Sequence, residues 1–378
     1  MALEVDTGPS TTEAPSTEPH LDVPRPRPSR PTAVPVLLRD APLVVPVAPS
    51  APEPPRRPRS DQRSWLRLDW RAKAMIQKVL GAVPGGAELH YVLQRVGGGM
   101  AQFERECDVK VDDWRLMVEQ LRAARVDLSH ATMLEVGTGW YPTFPVCLYL
   151  AGAARVLTFD ITRHLRPEMV RRLVARLAHH VRTIAKAGGT SEAEVETRRA
   201  ALSHALGRGA SLLDATGHVV DYRAPADATE TGLPAGAHDV VFSNSVLEHV
   251  PPDTIHRMFR EAYRVLRPGG VMFHSVNCGD HYAYTDPSID QLHYLKYSEA
   301  RWAWWNTRFL YQNRLRSIDF TEAAREAGFA IETDTSRANP RHLAGLDQIV
   351  VDPCFAGYTR EQLAITSIDF IARKPASR

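Results

Sequence analysis

The sequence predicts an α/β fold built on a doubly wound, mostly parallel sheet, and three observations support that class. A short apolar run, Thr132–Val136, is followed by Gly137, Gly139 and a further apolar stretch, which is the strand–turn–helix opening of a βαβ unit. An acid, Asp160, ends the second candidate strand roughly twenty residues after the glycines, where such sheets place a ribose-binding carboxylate. Strands then alternate with helical segments, the arrangement that produces a parallel sheet.

The predicted strands and helices recur along the whole chain after this turn. Strands are predicted at 132–136, 155–160, 218–222, 238–243, 271–276, 330–333 and 366–372. Helices are predicted at 167–186, in part of 188–209, from Pro251 to a glycine cap at 268–270, and at 320–327. The last two strands are expected to form a β-hairpin at the sheet edge. Ligands of such sheets bind beyond the carboxyl ends of the strands, so we expect the site there.

The N-terminal region has a different composition from the rest of the chain. Residues 1–62 hold fifteen of the 28 prolines, which block both helices and strand ladders, so we predict a disordered Pro-rich tail. Residues 63–128 are predicted to form a helical N-terminal layer, with amphipathic helices at 65–79 and 103–125. This layer could be simple packing or a lid over the site. Residues 129–378 form the predicted main domain, in which a polar, aromatic-rich insertion at about 277–316 suits substrate binding.

Composition and charge exclude several classes of function. The 378 residues carry a net charge of +2, which argues against a nucleic-acid substrate. The sequence contains neither a secretory signal nor an apolar run of the roughly eighteen residues that a membrane span needs. The four cysteines lie far apart without metal-binding spacing, which is typical of reduced thiols in a cytoplasmic protein. We therefore predict a cytoplasmic protein with no metal site.

Five motifs together resemble those of class I S-adenosylmethionine-dependent methyltransferases, particularly the small-molecule enzymes of the type 11 group. They are Glu135-x-Gly-x-Gly139, Asp160, Ala226-Asp-Ala228, the segment 239–250 (DVVFSNSVLEHV) and the segment 266–270 (LRPGG). The resemblance covers about residues 128–375 and implies a Rossmann-like, seven-stranded sheet. One difference is that Trp140-Tyr-Pro142 stands where the family often has a third small residue.

The resemblance implies that S-adenosyl-L-methionine is the cofactor and assigns a set of residues to it. The expected cofactor-binding residues are Glu135, Gly137, Gly139, Asp160, Asp227, Ala228 and Asn244. The glycine backbone would approach the methionine part, with Glu135 near its amino end and Asn244 close by. Asp160 would accept both ribose hydroxyls, a charge-assisted pair, and Asp227 would accept the adenine amino group.

The acceptor side of the reaction is expected to involve histidine, because a hydroxyl acceptor benefits from a base with a pKa near neutrality. His249, His281 and His293 are candidates, and His281 is preferred. His249 could equally be a structural residue that caps the next helix. The insertion, rich in His and Tyr, favours a sugar, a polysaccharide precursor or a secondary metabolite as acceptor, and a lipid-linked acceptor stays open. The sequence leaves the oligomeric state undetermined.

Two other classes of protein share parts of this pattern. An NAD-dependent oxidoreductase also uses a glycine turn and a ribose acid, but this chain lacks the third glycine of that fingerprint and a downstream Tyr-x-x-x-Lys pair. A catalytically silent methyltransferase-like domain could recruit partners through its Pro-rich arm. Such a domain could lose the cofactor acids, and here they are all present.

Overall fold

The structure is a computed structural model that describes residues 69–83, 102–307 and 309–376. The predicted Pro-rich tail, 1–62, and its boundary with the helical layer lie outside these residues, as does the start of the first predicted helix. Within the described ranges, no helix is both long and apolar enough to cross a membrane. Of the four cysteines, Cys107, Cys147 and Cys278 are buried and Cys354 is exposed.

In the part of the chain that the structure describes, seven strands form one sheet in the order β3-β2-β1-β4-β5-β7-β6. They are β1 (Thr132–Val136), β2 (Arg155–Phe159), β3 (Val220–Arg223), β4 (His238–Asn244), β5 (Leu266–Asn277), β6 (Ala330–Asp334) and β7 (Ser367–Arg373). Strands β1 to β5 pair in parallel, whereas β7 runs antiparallel to both β5 and β6. The prediction of a mostly parallel, seven-stranded, doubly wound sheet is confirmed.

The helices alternate with these strands and cover both faces of the sheet. In the described residues they are α1 (Trp70–Ala82), α2 (Phe103–Ala123), α3 (Thr143–Leu150), α4 (Pro167–Arg176), α5 (Val181–Gly188), α6 (Glu192–Gly207), α7 (Leu212–Ala215), α8 (Pro252–Val265), α9 (Glu299–Trp305), α10 (Ser317–Glu326), α11 (Pro340–Gly345) and α12 (Arg360–Leu363). The long helix predicted at 167–186 is interrupted by a 3₁₀ turn at Leu177–His180.

Two hydrophobic cores lie on opposite faces of the sheet, because successive side chains of a strand point to opposite sides. Met133 belongs to the core that includes Trp114 of α2 and Val146 of α3. Its neighbour Leu134 belongs to the core that includes Phe259 of α8 and Phe320 of α10. Burial on both faces explains why β1 is almost continuously apolar.

A third core joins the N-terminal helix α1 to the insertion that follows β5. Trp70 of α1 packs with Tyr282 and Trp302 in this core, and its ring lies 4.5 Å from that of Trp305 in an edge-on arrangement. The backbone N–H of Trp70 donates a hydrogen bond of 3.0 Å to Asp286. The predicted helical layer therefore has two parts, since α2 packs on the sheet and α1 packs on the insertion.

Two local predictions are wrong, and both errors concern how a segment ends. The glycine cap at 268–270 does not end α8, which stops at Val265, because Leu266 is already extended and pairs with His238 of β4. Gly269 has a φ of +79° but lies within β5. Strands β6 and β7 pair at the sheet edge as expected, but residues 335–366, with α11 and α12, connect them in place of a hairpin turn.

Arg316 is a wholly buried residue at the start of α10 that ties three segments together. Its guanidinium donates hydrogen bonds to the carbonyl oxygens of Cys278, at 2.8 Å, and Leu363, at 3.2 Å, and to that of Ile365. Replacing it by Met would leave the buried carbonyls of Leu363 and Ile365 without this donor, whereas the carbonyl of Cys278 would still accept from the hydroxyl of Tyr294. We expect Arg316→Met to lower the free energy of unfolding by about 3 kcal/mol in denaturant titrations. The exposed Arg325→Met on the same helix should change it by less than about 0.5 kcal/mol, and equal effects would contradict this role.

Candidate active site

The glycine turn after β1 has an open backbone that is fixed by hydrogen bonds. Gly137 has a φ of +82°, and its N–H donates to the carbonyl of Phe159 at 2.7 Å. A Cβ at this position would collide with the side chain of Val246, so only glycine fits. At Gly139, with a φ of +67°, no heavy atom of the described residues lies within 4 Å of where a Cβ would stand. A ligand could therefore approach the backbone closely at Gly139.

Asp160 anchors this turn from the end of β2. Its carboxylate is buried and accepts hydrogen bonds from the N–H of Gly139, at 2.8 Å, and the N–H of Thr162, at 2.9 Å. Each carboxylate oxygen has a second lone pair, so both could still accept a hydroxyl group. The sequence predicted the ribose contact but missed this structural role. The glycine turn itself could have indicated this role, because its backbone N–H groups need hydrogen-bond acceptors.

Glu135 has a buried side chain near the carboxyl end of β1. It accepts a hydrogen bond from the hydroxyl of Thr158, which in turn receives one from the hydroxyl of Thr138. Burial raises the pKa of Glu135 to about 7, although the hydrogen bond from Thr158 and the charge of Lys110 act to lower it. A carboxyl group with a pKa near neutrality can ionise when a cationic group arrives.

Asn244, at the end of β4, has a buried side-chain oxygen that could accept a hydrogen bond from a ligand. Its amide nitrogen donates to Asp113 of α2 at 3.4 Å. Its carbonyl oxygen is buried and has no hydrogen-bond partner among the described residues. Buried acceptors are normally satisfied, so an unmatched one is a natural place for a donor of a bound molecule. Sequence reasoning missed Lys110 and Asp113, because the helical period of α2 indicates only its buried face.

The loop after β3 carries Asp227 and Ala228 at the rim of the site. The N–H of Ala226 donates to the backbone carbonyl of Asp160 at 2.9 Å, which fixes this loop to the end of β2. Asp227 is exposed, and its carboxylate accepts from the N–H of Thr229 at 2.7 Å. Ala228 packs against the core that contains Leu134. The loop is thus positioned beside the glycine turn, with its acid facing outward.

His249 and His281 come together although 32 positions separate them in sequence. Their ring centroids lie 4.9 Å apart at an interplanar angle of 69°. His249 lies in the 3₁₀ turn after β4, and its Nδ1 is 2.7 Å from the carbonyl oxygen of Tyr311, so it does not cap α8. His281 begins the 3₁₀ turn after β5, and its N–H donates to the side chain of Gln312 at 3.2 Å.

The third candidate, His293, is a buried residue of the third core. Its Nδ1 lies 2.8 Å from the carboxylate of Asp280, and its ring packs edge-on against Trp70 at 4.8 Å. Burial raises the pKa of Asp280, and the hydrogen bond from His293 opposes that shift. Asp280 thus orients His293, not the adjacent His281. Trp302 is also buried in this core, where its indole N–H donates to the carbonyl of Gln312 at 3.1 Å.

Comparison with known proteins gives one family match. A sequence model described as a methyltransferase domain matches residues 195–274, which run from α6 into β5 and do not include the glycine turn. No curated protein matches the chain. The sheet differs from dinucleotide-binding sheets, whose strand order is 3-2-1-4-5-6. Here an antiparallel strand, β7, lies between β5 and β6. The fold itself is a Rossmann-like doubly wound sheet. Over residues 195–274 the chain is therefore similar to the methyltransferase domain family.

Several solved structures are similar to the chain at low identity. The [4+2]-cyclase SpnF is 16% identical, with 70% of this chain and 81% of that chain covered and a TM-score of 0.39. An S-adenosylmethionine-dependent methyltransferase from Mesorhizobium loti is 16% identical, with 68% and 96% covered and a TM-score of 0.37. A SAM-dependent methyltransferase from Methanosarcina mazei is 15% identical, with 66% and 94% covered and a TM-score of 0.37. Likenesses at this level carry no argument about substrate or activity.

Asp160 should be the most sensitive single position for cofactor binding. We expect Asp160→Ala to weaken the binding of S-adenosylhomocysteine by more than about tenfold in calorimetric titrations, because it removes a charge-assisted acceptor and frees the glycine turn. The matched control is Asp127→Ala, an exposed aspartate just before β1, at the opposite end of the strand. An affinity within about threefold of wild type for Asp160→Ala, or an equal loss in both variants, would contradict the assignment.

Proposed function

We propose that this protein transfers a methyl group from S-adenosyl-L-methionine to a hydroxyl group of a small-molecule acceptor. The observation that carries the proposal is the Asp160 carboxylate, hydrogen-bonded to the open glycine turn at the carboxyl ends of β1 and β2. The methyltransferase family match supports the same activity. A sugar, a polysaccharide precursor or a secondary metabolite is the acceptor we favour, because the insertion after β5 is polar and aromatic.

The residues at the sheet edge fit this cofactor in their chemistry. Asp160 has lone pairs for a ribose diol, and Asp227 in the next loop could accept an adenine amino group. Glu135 and the unmatched oxygen of Asn244 suit the cationic amino group of the methionine part. The open space beside Gly139 lets the backbone approach the ligand. When bound, the cofactor would supply a methyl group on a sulfonium that already contains its leaving group.

The acceptor side of the reaction is proposed to involve the paired histidines. His249 donates through Nδ1 to a carbonyl, so in the neutral ring its Nε2 keeps a lone pair that can accept a proton. His281 lies beside it and stays our first candidate for the base that receives the hydroxyl proton, with His249 as the alternative. The remaining contribution of the protein is to align the acceptor and exclude water.

The competing proposals are weaker. An NAD-dependent oxidoreductase would be expected to have a fully parallel sheet, and β7 runs antiparallel here. A silent, partner-binding domain has no need of Glu135, Asp160 and Asp227 together. The cytoplasmic location and the absence of a nucleic-acid substrate remain predictions, as do the domain boundaries.

A product assay tests the proposed activity. The purified chain is incubated with S-adenosylmethionine and a panel of sugars, glycosylated metabolites and non-hydroxylated analogues, and both S-adenosylhomocysteine and the methylated product are measured by mass spectrometry. We expect equal amounts of the two products with a hydroxylated acceptor and none with its analogue that lacks the hydroxyl. Methyl transfer to nitrogen or carbon, but not to oxygen, would contradict the acceptor assignment. Intact cofactor binding without transfer to any acceptor would favour the silent domain.

The raised pKa of Glu135 predicts a pH dependence of cofactor binding. The cationic amino group of the ligand favours the ionised carboxylate, so binding should be fully developed above about pH 7 and should weaken as the pH falls below it. From about pH 8.5 to about pH 5.5 we expect the affinity for S-adenosylhomocysteine to fall roughly tenfold or more.

The matched variant is Glu135→Gln, which keeps the shape but cannot ionise. It should bind weakly at both pH values and lose the dependence. Without ligand, the wild type should lose stability relative to this variant as the pH rises from about 4.5 through 7, because the folded state holds the Glu135 proton more tightly than the unfolded chain. A steep pH dependence retained in Glu135→Gln would contradict this account.

A further inference from the structure

We propose that Glu248, His249 and His281 form a binding site for a divalent transition-metal cation. One ligand atom from each residue lies within 4.8 Å of the other two. Ligands about 2.1 Å from a shared ion stand roughly 3 to 4 Å apart, so the cluster must contract only slightly to hold a cation. The cluster lies just after the ends of β4 and β5, at the same carboxyl edge of the sheet as the proposed cofactor site.

The hydrogen bonding of His249 is that of a metal ligand. A carbonyl oxygen can only accept, so the contact of 2.7 Å between Nδ1 and the carbonyl of Tyr311 fixes the N–H on Nδ1. Nε2 then carries the lone pair that a metal needs. Histidines that bind metals usually donate their other ring N–H to a carbonyl or carboxylate in this way, which sets both the tautomer and the ring orientation.

The turn that carries Glu248 and His249 is held from both sides. Glu248 is buried, and its carboxylate accepts from the N–H of Asn277, the last residue of β5, at 3.3 Å. Asn313 donates its amide to the carbonyls of Leu247, at 2.7 Å, and Val250, at 2.8 Å, and its N–H to the carbonyl of Glu248 at 3.0 Å. The side chains of this turn are thus presented from a fixed backbone.

The segment 311–313 positions both histidines at once. Tyr311 supplies the carbonyl that orients His249, and the side chain of Gln312 accepts the N–H of His281 at 3.2 Å. Gln312 also donates to the carbonyl of Gly279, two residues before His281. Segment 311–313 therefore fixes the two parts of the cluster relative to each other. A site for a specific ligand requires such support from the surrounding residues.

The donor set selects the kind of cation. Two imidazoles and one carboxylate suit zinc, manganese, iron(II) or cobalt(II), whereas magnesium and calcium prefer sets of oxygen ligands. Three protein ligands leave at least one coordination position for another molecule. This proposal departs from the sequence-based prediction of no metal site. That prediction rested on cysteine spacing, which cannot reveal histidine and glutamate ligands from two distant turns.

A cation here would define how the acceptor is activated, and this part of the inference rests on the proposed function. A hydroxyl bound to a divalent cation has a lowered pKa and releases its proton to solvent more easily. With the cation bound, His249 and His281 are ligands that position the acceptor through the cation, and this role replaces the role of base that is proposed above for the metal-free site. Acceptors with an oxygen donor beside the reacting hydroxyl would be favoured, since they could bind the cation through two atoms.

Calorimetric titration of the full, untagged chain tests the site directly. After dialysis against a chelator and its removal, the protein is titrated with zinc or manganese and, in parallel, with magnesium. We expect one transition-metal ion per chain and much weaker binding of magnesium. His249→Ala, His281→Ala and Glu248→Gln should each weaken manganese binding by more than about tenfold. The matched control is His256→Ala, a helix α8 residue whose ring pairs with Glu326 outside the cluster, and it should bind normally.

Several outcomes would overturn the proposal. One is that the wild type does not bind a transition-metal ion stoichiometrically. Another is that the wild type and the His249→Ala, His281→Ala double variant bind the ion equally well. A melting curve will reveal whether a variant fails to fold. In that case the proposal is tested on the wild-type protein alone. Cobalt(II) should then give the visible absorption bands of a histidine-coordinated ion, and their absence would contradict the site. Titration of the metal-free protein with S-adenosylhomocysteine tests the proposed function separately. Failure of the metal site can therefore be distinguished from failure of the proposed function.

Discussion

The hydrogen bond from the Gly139 N–H to the Asp160 carboxylate is the constraint on which the site depends. It joins the turn after β1 to the end of β2, and the bond from Ala226 to the backbone of Asp160 extends the connection to the loop after β3. Three neighbouring strand ends are thereby fixed relative to one another. A ligand that spans this edge of the sheet meets a preformed surface, which lowers the entropy lost on binding.

The site divides into a rigid part and an added part with different chemistry. The rigid part is the sheet edge, where burial holds the pKa of Glu135 near neutrality and where Asn244 keeps an unmatched acceptor. The added part is the insertion after β5, whose segment 311–313 fixes the turns of His249 and His281. The first part suits a cofactor with a cationic group, and the second suits a polar acceptor. This division follows the general rule that function is built on sites grafted onto a fold.

The sheet and the arrangement of its carboxyl edge were predictable because local patterns determine them. Buried strands, glycines with positive φ and the acid after β2 all leave signals within a few residues. Contacts between distant segments were not predictable. No pattern indicates that Asp280 pairs with His293 and not with its neighbour His281, or that Trp70 would pack on the insertion. The false helix cap at 268–270 had the same origin, since pairing of Leu266 with β4 overrode the local glycine signal.

The central claim is that the edge formed by Gly139, Asp160 and Asn244 binds S-adenosylmethionine. Calorimetric titration of the purified chain with S-adenosylhomocysteine, with NAD in a parallel cell, tests it most directly. The account predicts micromolar binding of S-adenosylhomocysteine at one site and no binding of NAD. Binding of NAD alone would contradict the claim by making the site a dinucleotide site, and binding of neither would contradict it by leaving a fold without its cofactor.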